Sequence, residues 1–541
     1  MSLPLTALDL VSRRIFSVSP DDTVAQAAEA LHCYRINALP LVSSGEIVGL
    51  LSRREIDDAL HHGLGAVSAR SISAGPPPTV SPEATLTVVD ALLRQHRLVV
   101  VGTLCSPAGV LTRTAVHRAL QEATAPMLWE QVEAHLGSLA GLLAALGDLS
   151  ARRGESALLI GGCVRDLLRG HTPNDVDVLV VGDAAGLAKA AATALGGRAS
   201  SNPAFGTAHW VTPDRTELDL ASARTEHYTA PGALPTVITP ADLRQDLSRR
   251  DFTINMMALT LGPGERGRLV DPYSGRADLE AGILRVTHGL SFLDDPTRFF
   301  RAARFAARLD LDLEPGTADL MAAALALPVR ITRQRIGAEL DRIFAEERAV
   351  AAMAKLQDWG VLAWIAPELA APGIISALMA TTSAWKSLSE TGGVGAAPDE
   401  ALWLTLACAL PQDARERCSE LVAGTRGRRA RWLSGPGRLA AAAQALSEST
   451  ARSTQGQALR GLDAAELVVL ASGREQAAVT WWLCTGRHIP LTIDGRRLMA
   501  CGVQPGPRMG AAIAAARGTA WNGGNEDAQI AAAMRVFALS D

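Results

Sequence analysis

The feature that most limits the fold is a doubling near the N-terminus. Ser17 to Leu60 reads SVSPDDTVAQAAEALHCYRINALPLVSSGEIVGLLSRREIDDAL, and Thr79 to Leu120 reads TVSPEATLTVVDALLRQHRLVVVGTLCSPAGVLTRTAVHRAL. Each copy has a Ser-Pro turn, an amphipathic stretch of period 3.6, an apolar run, a Gly-bearing turn, a second run ending in Ser/Thr-Arg, and another helical stretch. This predicts a β-α-β-β-α unit written twice. Gly75-Pro76-Pro77-Pro78 can continue neither a helix nor a ladder and marks the linker between the copies.

At 541 residues the chain exceeds what one hydrophobic core organises, so three or more domains are expected. Hydrophobic residues at 48% and charged residues at 20% describe a folding, globular chain. No apolar run approaches the length that spans a bilayer, and Met1 to Leu10 has no basic segment followed by a long apolar one. The expectation is a soluble, cytoplasmic protein with no membrane partner. Seven scattered cysteines, none spaced as CxxC, argue against a disulfide framework and a zinc site, and are expected to be reduced and buried.

A net charge of -4 excludes a globally basic nucleic-acid binder, so any such partner must be held by local patches. Only Lys189, Lys355 and Lys386 among 52 basic residues are lysines. The rest are guanidiniums suited to phosphate and base edges, although GC-rich codon usage produces the same bias.

Residues 123–153 read as helical. Gly154 then punctuates them before an apolar run from Ala157 to Ile160. Strands and helices alternate to about Leu259, and beyond Ile283 helix follows helix, broken at Pro372-Gly373, between Gly392 and Pro398, and at Pro505-Gly506-Pro507. The plan is an α+β head followed by an all-helical body.

Chemistry concentrates in Ile160-Gly161-Gly162-Cys163-Val164-Arg165-Asp166 and in Asn174-Asp175-Val176-Asp177. The first parses as a strand, a Gly-Gly turn and a short helix, an arrangement that lets backbone amides approach an anion such as a triphosphate. Asp175 and Asp177, two apart on an expected strand, project from one face and can share a divalent cation such as Mg²⁺, which takes carboxylates plus substrate phosphates. Asp-x-Asp alone is weak, since Asp310-Leu311-Asp312 repeats it without a glycine turn. Asp219, on another expected strand, is a candidate third carboxylate. Asp295, Arg298, Arg301 and Arg304 recur every three residues and share a broad helix face, in isolation an ordinary surface ion-pair ladder.

Two resemblances follow. The doubled pattern over residues 5–122 resembles a tandem CBS module, in which G-h-h-[ST]-x-x-[DN] places a hydroxyl on phosphate and an acid on the ribose of an adenine nucleotide. Here Glu55 and Ala115 stand where Asp is expected. The resemblance implies an adenine nucleotide on this module or a structural role, including a homodimer formed through it.

Gly-Gly-x-Val-Arg-Asp with Asp-x-Asp, Ala223-Arg224-Thr225-Glu226, Arg249-Arg250-Asp251-Phe252-Thr253-Ile254-Asn255, and Asp294-Asp295-Pro296-Thr297-Arg298 with Arg301 and Arg304, in this order, resemble the class II tRNA nucleotidyltransferase and bacterial poly(A) polymerase family. The resemblance implies a helical linker at 123–153, a DNA polymerase beta-like nucleotidyltransferase head at 154–285, a neck with a nucleobase-reading helix at 286–345, and a helical RNA-binding body and tail at 346–541. It implies that Asp175 and Asp177 bind two Mg²⁺ ions, with Asp219 a further catalytic carboxylate. Gly161, Gly162 and Arg165 would hold the triphosphate. Arg224 and Arg250 would steady sugar and phosphates. Asp295 and Arg298 would read the base, supported by Arg301 and Arg304.

The implied activity is template-independent addition of C, A or both to the tRNA 3′ end, from ATP and, where C is added, CTP. Poly(A) synthesis and a non-catalytic adenylate-sensing protein remain as alternatives. Arg330, Arg333, Arg335 and Arg342, and Arg426, Arg428, Arg429 and Arg431, are candidate RNA phosphate contacts or solvated helix faces. Trp481-Trp482 reads as core.

Overall fold

The computed structural model describes residues 6–11, 15–34, 36–112, 116, 127–202, 206–227, 236–238, 241–329, 331–395, 398–422, 426–503 and 505–538. The chain divides into two compact units, one of residues 1–178, 190–197 and 257–272, the other of residues 179–189, 198–256 and 273–541.

In the first unit the doubling is realised as two small sheets. The first copy has helix Val24–Tyr34, an antiparallel hairpin of Ala38–Ser43 with Glu46–Ser52, and helix Arg53–His61. In place of its expected opening strand there is an isolated parallel bridge from Val18 to Leu41. Ser44 and Gly45 both take positive φ (52° and 86°), the turn whose twist matches a two-residue hairpin. Val24, Ala27 and Leu31 form one helix face and pack on Leu39, Leu41 and Leu51.

The second copy repeats this with Thr79–Val80 parallel to Leu98–Gly102, helix Leu86–Gln95, and strand Pro107–Thr112 antiparallel to Leu98–Gly102. Of its expected closing helix only Val116 lies within the described residues, and it is helical. Ile47 of one copy and Leu98 and Val100 of the other share a cluster, so each copy buries apolar surface against its twin.

Helices Trp129–Leu136 and Ser138–Arg152 follow. The second lies against the chain at Leu261 so closely that a Cβ on Gly147 would meet the Leu261 carbonyl oxygen at 2.0 Å. Head strands run in the order Leu269–Val270, Ala258–Thr260, Ser156–Ile160, Val176–Val181.

In the second unit, strands Glu217–Ser222, Thr207–Val211 and Arg198–Asn202 are neighbours in that order, each pair antiparallel. Leu218 and Leu220 are buried while Glu217 and Asp219 are exposed, the period-two alternation of a sheet with one wet face. Beyond residue 290 the unit is almost wholly helical around one core that includes Phe299, Phe300, Leu340, Phe344, Trp403 and Trp432. Trp482 belongs to it and Trp481 packs half-buried against it, with the Arg452 guanidinium 4.6 Å from its ring centre.

All seven cysteines are free, but the expectation of burial holds only for Cys163 and Cys418; the other five are exposed. Cys33 and Cys484, for example, fall on solvent-facing helix positions. Among the described residues no helix is long and apolar enough to cross a membrane.

Candidate active site

Strand Ser156–Ile160 delivers the chain to Gly161, whose φ of +65° suits glycine, and helix Gly162–Leu168 starts directly after it. The Gly161 N–H donates to the Met257 carbonyl at 3.1 Å, tying the turn to the neighbouring strand. Arg165 is 2% exposed, and its Nε and Nη2 donate to Asp166 Oδ1 at 2.9 and 2.8 Å. A Cβ on Gly162 would lie 3.4 Å from Arg165 Nη2, an ordinary van der Waals contact, so the buried guanidinium packs directly over the turn.

Asp175 is exposed and sits in the bend just before strand Val176–Val181, while the half-buried Asp177 is the strand's second residue. The expectation that both lie on the strand is corrected here: exposed His171, Thr172, Asn174 and Asp175 leave the strand to begin at buried Val176. Burial pushes the Cys163 thiol up to about 12, and the negative charges of Asp177 and Asp166 add to the effect. Asp177 therefore bears electrostatically on the glycine turn. Among the described residues no group of three or more His, Cys, Asp or Glu side chains forms a metal cage. Two hard carboxylates fit a cation that takes its other ligands from substrate phosphates and water.

In the second unit, Asp219 is paired in register with His209 across the strands, and its Oδ1 bonds His209 Nδ1. Both side chains are exposed.

Arg224 and Arg250 converge on acids. Arg224 Nη2 lies 3.2 Å from Glu226 Oε1, and its backbone N–H donates to Asp246 Oδ2 at 3.3 Å. Asp246, fully buried, also takes Arg249 Nη2 at 2.7 Å and Arg250 Nη2 at 2.8 Å. Burial raises its pKa, but the Arg250 and Arg249 charges prevail and hold the carboxyl below the ordinary range.

Arg298 opens helix Arg298–Leu309, whereas Asp295 lies before it in extended backbone that ends helix Ser291–Asp294. The expected shared helix face therefore holds for the arginines and not for Asp295, which the intervening Pro296 and Thr297 keep outside the helix. Asp295 Oδ1 accepts from the Thr297 N–H (3.1 Å), Thr297 Oγ1 (2.8 Å) and Arg335 Nη2 (3.0 Å). Arg298 is 4% exposed, bonds Ser291 Oγ through Nη1, and donates from Nη2 to the Arg249 carbonyl at 2.8 Å. Arg301 Nε donates to Asp251 Oδ2 at 2.8 Å. Burial works to raise the Asp251 pKa, yet the Arg301 charge, the Asn255 amide and Arg298 bring it down to about 2. Arg304 Nε lies 3.1 Å from Glu346 and its Nη1 3.9 Å from Glu339. The arginine face is thus an inward one, paired with other elements, rather than the surface ladder the isolated segment suggests.

Nothing in the sequence pattern marks Asp246 or Asp251; Asp251 sits inside a motif but carries no spacing that announces a partner 50 residues on. Several candidate phosphate arginines also have other partners. Arg335 holds Asp295, and Arg342 pairs with Glu339. Arg428 pairs with Asp341 and Glu400, and Arg431 with Glu400 and Asp463. Arg333 donates to the Ile365 carbonyl at 3.4 Å. Arg429 is exposed. Arg330 and the Arg426 side chain lie outside the described residues.

A glycine turn feeding a short helix, paired aspartates at a strand entry and an arginine-rich helix in a mostly helical unit define a nucleotidyltransferase of the polymerase-head class. The Poly A polymerase head domain family matches residues 157–285, the CBS domain family residues 7–62, and the family described as probable RNA and SrmB-binding site of polymerase A residues 310–371. The second CBS-like copy is thus recognised by its fold and not by that match.

A CC-adding tRNA nucleotidyltransferase of Deinococcus radiodurans is 34% identical over 371 residues, 68% of this chain and 86% of that protein. The chain belongs to the tRNA nucleotidyltransferase family. An A-adding tRNA nucleotidyltransferase of Geobacter sulfurreducens is 34% identical over 397 residues, 69% of this chain but 45% of that longer protein. The solved structure of a CCA-adding enzyme in an apo form aligns with a TM-score of 0.69 at 24% identity, covering 76% of this chain and 99% of the other, a likeness of fold.

Proposed function

We propose that the chain is a template-independent RNA nucleotidyltransferase that adds C, A or both to the tRNA 3′ end, using CTP and ATP and releasing pyrophosphate. The observation that carries this reading is a carboxylate, Asp295, in the turn that leads into helix Arg298–Leu309, and a buried guanidinium, Arg298, that opens the helix and whose backbone N–H donates to the Asp295 carbonyl at 3.1 Å. A carboxylate accepts from an exocyclic amino group, N4 of cytosine or N6 of adenine, and a guanidinium donates to ring acceptors. Uracil and guanine present a carbonyl there instead and are repelled.

In this reading Gly161, Gly162 and Arg165 hold the triphosphate, and Arg224 and Arg250, fixed by Glu226 and Asp246, steady sugar and phosphates. Arg301 and Arg304, braced by Asp251, Glu346 and Glu339, keep the reading helix in place. Asp175 and Asp177 would hold Mg²⁺, which when bound lowers the pKa of the attacking 3′-hydroxyl and offsets charge developing at the α-phosphate. Asp219 serves as a further carboxylate, oriented by His209.

The helical body takes the RNA by shape and phosphate, with Arg429 the member of the two clusters left exposed and without an acidic partner among the described residues. The division of the chain at residues 122, 153, 285 and 345 belongs to the same reading. The tandem module is structural or dimerising: Ser52 and Glu55, the positions aligned with nucleotide contacts, already serve each other in a helix capping box.

The test uses purified chain, Mg²⁺ and tRNA transcripts ending before the tail, after one C and after two, each with labelled CTP, ATP or UTP. Growth stopping at CCA, or A added only to the CC end, supports tRNA end synthesis, and Asp177→Ala should abolish either. A long A ladder on any RNA means poly(A) polymerase. No incorporation on any substrate refutes the catalytic reading.

A further inference from the structure

We infer that Arg335 and Thr297 are positioning residues for nucleobase selection: together they fix one oxygen of Asp295 and leave the other as the acceptor offered to the base. This rests on the reading above, in which Asp295 meets the base edge.

The geometry is asymmetric. The Thr297 N–H (3.1 Å), Thr297 Oγ1 (2.8 Å) and Arg335 Nη2 (3.0 Å) all donate to Oδ1. Three donors saturate one carboxylate oxygen, and a flip of the carboxylate would have to break all three bonds together. Among the described residues no side chain or backbone group donates to Oδ2. The Asp295 side chain keeps 26% of its surface exposed, so Oδ2 is reachable. A carboxylate oxygen held in one place and able only to accept discriminates an amino group from a carbonyl. A carboxylate free to swing can turn away from an unfavourable carbonyl and loses that contrast.

The two anchors differ in origin. Thr297 is local, two residues along the chain. Arg335 comes from helix Arg333–Phe344, where Thr332 caps the first turn by accepting from the Arg335 N–H at 3.3 Å. Selection by Asp295 thereby depends on a helix 40 residues downstream in sequence. Its planar guanidinium can hold a direction that an ammonium, a rotating point charge, does not. Arg335 was a candidate RNA contact on composition alone; its position assigns it instead to the reading of the incoming nucleotide.

The experiment measures kcat/KM for ATP, CTP, GTP and UTP on tRNA ending in CC and on tRNA ending before the tail, with the full chain. Arg335→Gln should lower the preference for ATP or CTP over GTP or UTP by about tenfold, the scale of one well-formed base contact. Arg335→Lys should be intermediate, Thr297→Ala should lower the preference by about threefold, and Thr297→Ser should retain it. A purely structural brace moves rate or melting temperature and leaves the preference alone, so wild-type preference in both Arg335→Gln and Thr297→Ala overturns the inference. Thr297→Ala removes no charge and reports on the same oxygen if Arg335→Gln fails to fold. Wild-type chain that incorporates nothing defeats the functional reading itself. Active chain whose preference survives Asp295→Asn defeats base reading by Asp295 while leaving the activity standing.

Discussion

Asp251→Asn is the sharpest test of what holds helix Arg298–Leu309 in place. Asp251 is 7% exposed and accepts from the Phe252 N–H at 2.9 Å, Asn255 Nδ2 at 3.0 Å and Arg301 Nε at 2.8 Å. Its folded pKa is depressed from an ordinary 3.8 to about 2 against the opposing effect of burial. At ~1.4 kcal/mol per pH unit the displacement corresponds to about 2 kcal/mol. Because the folded pKa is the lower one, this stability is present above pH 3.8 and is lost as pH falls toward 2.

The amide keeps the shape and removes the charge, leaving Arg301 without its carboxylate. Breaking a buried pair costs roughly 3–5 kcal/mol, and the low end applies because the Arg301 side chain remains 35% exposed. At roughly 2–4 °C per kcal/mol, the calorimetric transition of the helical unit should fall by about 6–12 °C. Arg301→Met should act similarly, and the double variant should be destabilised by less than the sum of the singles. The acid-induced loss between pH 4 and 2 should shrink in Asp251→Asn. A shift below about 2 °C, or strict additivity in the double variant, would refute the pairing argument.

Three further outcomes are expected. Iodoacetamide at pH 8 should label exposed Cys33, Cys484 and Cys501 in the native chain and spare Cys163, buried and pushed up to about 12; peptide mass spectrometry showing prompt Cys163 labelling would contradict its environment. Gly337→Ala should lower thermal stability by about 3 kcal/mol, since its Cβ would meet the Leu421 carbonyl oxygen at 1.9 Å, whereas Gly495→Ala, with open space around it, should change little in the same scan. Glu55→Ala should weaken the Arg53–His61 helix by ~1 kcal/mol through loss of the capping box, yet calorimetric titration should find one ATP per chain in both proteins; a second site abolished by the substitution would place a nucleotide on the tandem module.

Local features were legible in the sequence. The repeat, its Ser44-Gly45 hairpin and the glycine turn at Gly161 depend on neighbours a few residues away, and periodicity and turn chemistry reach that far. Asp175 shows the limit, since pattern does not place the strand's start at Val176, one residue later. The spacing of Arg298, Arg301 and Arg304 correctly placed them on one face, but which way that face turns was decided by acids contributed from elsewhere in the chain. Asp251 lies 50 residues before Arg301, and the partners of Arg304 come from further along the chain, Glu339 within helix Arg333–Phe344 and Glu346 just after it.

A chain with 52 basic and 56 acidic residues can neutralise almost any arginine, and sequence spacing does not say which acid does so. Arginine clusters therefore nominate phosphate contacts only after such partners are subtracted. Arg428 and Arg431 are spent on Asp341, Glu400 and Asp463, and Arg335 on Asp295, whereas Arg429, in the same run as Arg428, meets no acid among the described residues and only the Ser419 hydroxyl at 3.4 Å. Substituting Arg429 should accordingly weaken RNA binding and flatten its salt dependence, while substituting Arg428 should cost stability.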